Sequence, residues 1–388
     1  MDITIQPNKL SGSVAAIPSK SQAHRLLICA ALANNETTLI CPETNRDIEA
    51  TVACLNALGA KIERTGDGYS IDPISKIPDR AVLNCCESGS TLRFMLPIVG
   101  ALGVDAVFQM EGRLPQRPIS PLWEEMERMG CHLSRPSGNT IHCCGKLIPG
   151  DYSISGSVSS QFITGLLFAL SLIDGKSTLV ITGKVESKPY IDMTKAAMAL
   201  FAAPDYHTPG YIKVEGDWSN GAFWLAAKVL GNSVEITNLN PGSPQGDRAA
   251  ATLLDALESH MTIDASDIPD LVPILSVTAA AKKGAVFTNI QRLRIKESDR
   301  VASVIAMIEA LGGKAEATED TLTVHGTGLS GGIVDACNDH RIAMAAAIAA
   351  TVCMESVTIL GAEAVNKSYP KFWEEYHRLG GNYEQLIW

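Results

Sequence analysis

A short β-branched segment recurs along this chain: TTLIC around Leu39, AVFQM around Val107, TLVIT around Leu179, SVEIT around Val234, AVFTN around Val286 and SVTIL around Val357. Neighbouring copies lie roughly 70 residues apart, except for two gaps of roughly 50, a period longer than solenoid repeats and suited to duplicated supersecondary units. Ahead of each segment runs an apolar stretch such as LLICAALA, SQFITGLLFALSLI or RIAMAAAIAATVC. A helix with no polar face must be buried on all sides, so sheets have to lie outside it. Behind the segments, amphipathic stretches end in LNALGA, MERMGC, IEALGG and YHRLGG, where Gly suits a helix C-terminus. Three of these lead into alternating sequence with a central turn, KIERTGDGYSID, HLSRPSGNTIHCCG and KAEATEDTLTVHG, which reads as hairpins. The unit is βαβαββ, present six times.

At 388 residues the chain exceeds what one core usually holds, and six units divide as three per domain. Crossings at Ala16-Ile17-Pro18 and Val214-Glu215-Gly216 give a discontinuous first domain, 1–17 plus 216–388, and a second of 18–215. The two short gaps leave too little chain at Ala202 to Tyr211 and Glu258 to Asp264, so the hairpins of the third and fourth units should be shortened. The fold class expected is α/β, with two similar domains.

A net charge of −10 argues against a protein that holds a polyanion such as nucleic acid, and leaves anionic ligands to local basic clusters. The longest apolar runs, Ile342 to Met354 and Phe162 to Ile173, fall short of the roughly 20 residues needed to cross a bilayer. The opening MDITIQPNKL has neither a basic nor an apolar leader region, so a cytoplasmic location is expected, with no membrane partner. The ten cysteines form no C-x-x-C, and His142-Cys143-Cys144 has the wrong spacing for zinc; reduced thiols and no metal are expected.

The basic and hydroxyl residues gather where the buried helices begin. Pro18-Ser19-Lys20-Ser21-Gln22-Ala23-His24-Arg25 opens the first, Ser88-Gly89-Ser90-Thr91-Leu92-Arg93 another, and Ser157-Val158-Ser159-Ser160-Gln161 a third. Free N–H groups and the positive dipole end favour an anion there, and Gly89 allows close approach to the backbone. Each Ser alone is most simply an N-cap; their repetition shifts the balance toward a ligand site. The second half matches with Ile268-Pro269-Asp270, Lys296-Glu297-Ser298-Asp299-Arg300, Asn338-Asp339-His340-Arg341 and Lys367-Ser368-Tyr369-Pro370. Placed on a helix, Lys296 and Arg300 are four apart and share a face.

PSKSQAHR, ESGSTLR, QRPI, GSVSSQF, SKPYID, IPD, RIKESDR, NDHR and NKSYP, in this order, resemble the 5-enolpyruvylshikimate-3-phosphate synthase family across essentially the whole chain. The resemblance implies an inside-out α/β barrel in each domain, with helices within and sheets without. It implies transfer of the enolpyruvyl group from phosphoenolpyruvate to the 5-hydroxyl of shikimate 3-phosphate, releasing phosphate, with no cofactor. Matched motif by motif, Ser21, Arg25, Ser159, Ser160, Ser187, Tyr190, Asp270 and Lys296 fall on shikimate-phosphate positions. Lys20, Gly89, Arg117, Gln161, Glu297, Arg300, Arg341 and Lys367 fall on phosphoenolpyruvate positions, with Arg93 and His340 beside them. Asp270, Glu297 and Lys20 are the catalytic candidates: Asp270 to take the proton of the attacking hydroxyl, Glu297 and Lys20 for proton traffic at the enol methylene. Glu87 stands where the family often has Asn, and Arg292 near a substrate-contacting Asn of many members, so that contact is not carried over.

The enzyme alternative is a UDP-N-acetylglucosamine enolpyruvyl transferase, which usually carries a cysteine shortly before the arginine matched by Arg117; none lies between Cys86 and Cys131 here. The other is a catalytically inactive anion-binding homologue, against which the joint presence of Asp270, Glu297 and Lys20 argues. A monomer is expected.

Overall fold

The computed structural model describes residues 1–386, which fall into two compact units, Pro18–Glu215 and Met1–Ile17 with 216–386. The helices of 18–215 are α1 (Lys20–Ala31), α2 (Arg46–Ala57), α3 (Gly89–Leu102), α4 (Leu122–Arg128), α5 (Ser160–Leu170) and α6 (Lys188–Leu200). Those of the other unit are α7 (Trp218–Val229), α8 (Ala250–Ala256), α9 (Val272–Ala281), α10 (Arg300–Ala310), α11 (His340–Ala349) and α12 (Phe372–Arg378).

In 18–215 the apolar α1, α3 and α5 are the buried helices, as their lack of a polar face requires. The repeats take the form of three sheets. Strand Thr37–Ile40 pairs in parallel with Tyr211–Lys213 and antiparallel with the hairpin strand Gly68–Asp72, which carries Lys61–Arg64. Asp105–Gln109 does the same between Arg80–Asn84 and the hairpin Cys131–Ser134 with Thr140–Gly145. The third sheet stops at the parallel pair Asp151–Ser155 and Thr178–Thr182. Where its hairpin would stand, 202–210 leads from α6 directly into the first sheet.

The other unit repeats the plan around α7, α9 and α11. Met261–Asp264, Ala285–Thr288, Thr321–His325 and Lys314–Ala317 make one four-stranded sheet. Gly332–Asp335 and Val357–Leu360 make another with Asp2–Ile5 and Tyr383–Leu386, so the first and last strands of the chain supply its antiparallel pair. The fourth repeat keeps only Ser11–Ala15 with Ser233–Thr237. Both reduced sheets are those with the short sequence spacing: among the described residues the hairpins of the third and fourth units are missing. No helix among the described residues is long and apolar enough to cross a membrane.

The termini of the buried helices follow from their capping residues. Ser19, Ser88 and Ser159 accept from the backbone N–H of Gln22, Thr91 and Gln161; Asp217 and Asp339 accept from Asn220 and Arg341. The caps in 18–215 are neutral and those of α7 and α11 are acidic, a difference that decides how each unit balances its cations.

One local expectation fails. Lys296 and Arg300 do not share a helical face, because a 3-10 turn over Gln291–Ile295 ends in an extended Lys296 and α10 starts only at Arg300, capped by Asp299. Asp299 accepts from the Ala302 N–H at 3.1 Å, so the helix begins where its cap sits and the preceding residues stay outside it. The apolar stretch ending at Ile173 is likewise shorter as a helix: α5 stops at Leu170.

Candidate active site

In 18–215, Arg25 rises from the second turn of α1 into a shell of neutral oxygens. Its Nε donates to Thr194 Oγ1 at 2.9 Å, Nη1 to the Ser21 carbonyl at 2.6 Å, and Nη2 to the Tyr190 carbonyl at 3.0 Å and Thr164 Oγ1 at 3.4 Å. No carboxylate of the described residues pairs with this guanidinium, which is 2% exposed. Burial lowers its pKa to about 10. A buried charge left to hydroxyls and carbonyls is poised for an anion. Lys20, one turn earlier, is paired with Asp47 Oδ2 at 2.9 Å. Tyr190 and Ser187 stand at the start of α6, where Ser187 is buried with φ +55°, a conformation that L side chains adopt at a cost.

A second cluster joins α3 and α5. Arg93 Nη1 donates to Gln161 Oε1 at 2.7 Å, Nη2 to the Pro118 carbonyl at 3.0 Å, and Gln161 Nε2 to Ser90 Oγ at 2.8 Å. Ser159 and Ser160 are buried beside them. The space above Gly89, expected to be left to a ligand, is shared with two guanidinium tips: a Cβ there would meet Arg117 Nη1 at 2.7 Å and Arg93 Nη1 at 3.0 Å. The Glu87 carboxylate lies over Gly112, whose φ is +55° and whose added Cβ would collide with it.

In the other unit the charges are paired. Asp270 Oδ1 accepts from Arg300 Nη1 at 2.6 Å and Oδ2 from Arg341 Nη2 at 2.9 Å, with Lys296 Nζ at 3.9 Å. Asp270 is no helix cap: α9 starts after Leu271 without a side-chain cap. Arg300, 1% exposed, also donates from Nη2 to Glu297 Oε2 at 2.6 Å and from Nε to Asp339 Oδ2 at 2.8 Å. Asp339 accepts from Ser298 Oγ as well, at 3.1 Å, while its other oxygen caps α11 and its helix-borne Arg341. Lys367 Nζ donates to the Asn338 carbonyl at 2.9 Å, within a turn in which Cys337 and Asn338 both have positive φ. Burial opposes the charge of Asp270, but Arg341, Lys296 and Arg300 outweigh it and hold the carboxyl far below the usual range. The Lys296 pKa also moves down, but there burial prevails and brings its ammonium to about 8. Although 296–299 is not helical, Lys296 and Arg300 converge on one carboxylate. Among the described residues no group of three or more His, Cys, Asp or Glu side chains could hold a metal ion.

A family model described as EPSP synthase (3-phosphoshikimate 1-carboxyvinyltransferase) matches residues 5–265 and 257–376. The chain is 37% identical to the 3-phosphoshikimate 1-carboxyvinyltransferase of Clostridium kluyveri, covering 99% of this chain and 98% of that one, and 38% identical to that of Clostridium acetobutylicum, covering 98% and 97%. The chain belongs to the EPSP synthase family. It is a carboxyvinyltransferase. The first alignment spans 420 positions against 388 residues here, so the relative carries segments that this chain lacks, in keeping with the missing hairpins. Among solved structures it resembles an EPSP synthase from Acinetobacter baumannii, at 20% identity and a TM-score of 0.79 over 99% of this chain and all of that one. It also resembles the enolpyruvyl transferase NikO from Streptomyces tendae, at 17% identity and a TM-score of 0.73 over 99% and 98%. These two likenesses speak for the fold.

Several polar residues of these clusters escape a reading of the sequence. Thr164 and Thr194 sit inside helices where a lone Thr looks like packing; Asp47 and Ser219 lie in first turns and look like ordinary helix starts. Thr164 and Ser219 are marked only by polarity within mainly apolar helices, and Asp47 and Thr194, in amphipathic ones, not even by that.

Proposed function

We propose that this enzyme moves the enolpyruvyl group of phosphoenolpyruvate to the 5-hydroxyl of shikimate 3-phosphate and releases phosphate, with the clusters above as its binding and catalytic groups. The observation that carries the assignment of residues is Arg25: a buried guanidinium with no carboxylate partner among the described residues, in the unit whose buried helices carry neutral Ser caps, calls for a dianion. Arg25 with Ser21, Ser159, Ser160, Ser187 and Tyr190 takes the phosphate and ring hydroxyls of shikimate 3-phosphate, and Lys296 and Asp270 take further polar groups of it. Lys20, Gly89, Arg117 and Gln161, together with Glu297, Arg300, Arg341 and Lys367, take the carboxylate and phosphate of phosphoenolpyruvate, the Arg forks pairing in bidentate fashion.

In the addition step the 5-hydroxyl oxygen bonds to C2 of phosphoenolpyruvate, its proton passes to a base, and the methylene carbon gains a proton, giving a tetrahedral ketal phosphate. Elimination removes a proton from the new methyl group and breaks the bond to phosphate. Asp270 is ionised, as a base must be, yet three cations hold its basicity down. A ligand whose anionic groups draw the N–H donors of Arg300 and Arg341 loosens that grip and raises its proton affinity when the substrate arrives. Glu297, 2.6 Å from Arg300, and Lys20 serve the methylene carbon.

A coupled assay of phosphate release tests the reading. Release is expected only with both phosphoenolpyruvate and shikimate 3-phosphate present. Release with a UDP-sugar acceptor and none with shikimate 3-phosphate would overturn it.

A further inference from the structure

Arg341 directs its guanidinium at both Asp270 and Ser219. Nη2 lies 2.9 Å from Asp270 Oδ2 and 3.0 Å from Ser219 Oγ, and Nη1 lies 3.4 Å from the Ser219 carbonyl. Ser219 belongs to the first turn of α7, in the fourth repeat, and is buried. Its hydroxyl oxygen stands 2.6 Å from Oδ1 of Asp217, the cap of α7, which also accepts from the Asn220 N–H at 3.0 Å.

The direction of these bonds is fixed by chemistry. A guanidinium only donates and a carboxylate only accepts, so the single Ser219 proton points to Asp217 and a Ser219 lone pair faces Arg341. The charge of Asp217 thereby polarises the hydroxyl toward the guanidinium. Asp270 cannot fill this role throughout the reaction, because its hold on Arg341 competes with an incoming anion. We infer that Asp217 and Ser219 are positioning residues for Arg341, which keep its fork aimed at the anionic groups of phosphoenolpyruvate while Asp270 exchanges partners. The inference rests on the function proposed above. It also accounts for what the fourth repeat retains, since its sheet is cut to two strands, yet the start of its helix, which braces Arg341, is intact.

The test is steady-state kinetics on Ser219→Ala, Asp217→Asn and the double variant, with thermal unfolding to check folding. Asn caps helices as well as Asp does, so Asp217→Asn keeps α7 while removing the charge. Ser219→Ala is expected to raise KM for phosphoenolpyruvate about tenfold, the scale of one hydrogen bond to a charged group, and to leave KM for shikimate 3-phosphate within about twofold. Asp217→Asn should raise it less, and the double variant should match Ser219→Ala, since both changes break one line of bonds. Unchanged KM for phosphoenolpyruvate in either folded single variant, equal rises for both substrates, or additive effects in the double variant would overturn the inference. A wild-type enzyme inactive with the two substrates would instead overturn the proposed function.

Discussion

Asp270 and Arg300 meet at 2.6 Å, and the guanidinium that reaches Asp270 is itself 1% exposed and tied to Glu297 and Asp339. Asp270 is therefore both a candidate base and the counter-ion that lets cations converge at the starts of α10 and α11. The two roles separate under mutation.

Replacing Asp270 by Ala leaves Arg300, Arg341 and Lys296 facing each other with one carboxylate fewer. Breaking a buried charge pair typically costs about 3–5 kcal/mol, so a marked fall in Tm is expected. Because the loss is one of negative charge, millimolar inorganic phosphate should recover part of it by occupying the vacated position. Asp270→Asn, nearly the same shape, should lower turnover far more than substrate binding. A phosphate-independent Tm in the Ala variant would show that charge balance is not what Asp270 supplies.

Arg25 predicts the opposite pattern. Its partners are hydroxyls and carbonyls, so Arg25→Gln strands no buried carboxylate and removes an unfavourably buried charge. Thermal stability should change little, while KM for shikimate 3-phosphate should rise by about a hundredfold, the scale of two hydrogen bonds to a charged group. A Tm loss as large as that of Asp270→Ala would contradict the assignment of Arg25 to ligand charge.

Much of this was readable in the residues themselves. The sheet segment at Leu179 and its siblings, the apolar helices ahead of them and the glycines after α2, α4, α10 and α12 follow from periodicity and capping, and the short third and fourth units follow from spacing. The pairing of charges does not. Lys296 and Arg300 converge on Asp270 through a bent, non-helical segment that a helical reading of Lys296-Glu297-Ser298-Asp299-Arg300 misplaces, because the Asp299 cap acts one residue before the helix and nothing in the charge pattern marks it. Nor does a Ser in the first turn of α7 advertise an arginine in the first turn of α11 more than a hundred residues on.

Lys296 sets an alkaline limit. Burial lowers its pKa to about 8, against about 10.4 in an unfolded chain, so between these values the unfolded state binds more protons. Its contribution to stability therefore rises with pH across that window, as the cost of burying the charge disappears. Ligand binding runs the other way: kcat/KM for shikimate 3-phosphate should fall above about pH 8 as the cation is lost. Lys296→Arg, which keeps its charge, should move that limb beyond the measurable range. Its persistence in the Arg variant would assign it to another group.

The trimmed sheets make a prediction of their own. In the parallel pair Asp151–Ser155 with Thr178–Thr182, Thr178 and Thr182 bond toward the partner strand, so alternation turns the N–H and C=O of Leu179 and Ile181 to the opposite edge. In the sheet of Asp105–Gln109 that edge is occupied by the hairpin strand Thr140–Gly145. Val180 between them is 54% exposed, so its outer face is open to solvent. An open edge exchanges its amides through small local fluctuations, whereas a central strand needs a larger opening. Hydrogen exchange in the unliganded enzyme should accordingly be faster by orders of magnitude at Leu179 and Ile181 than at Ala106 and Phe108. Comparable protection at the two places would mean that the edge is covered in solution, which the absence of a hairpin in the third repeat does not provide for.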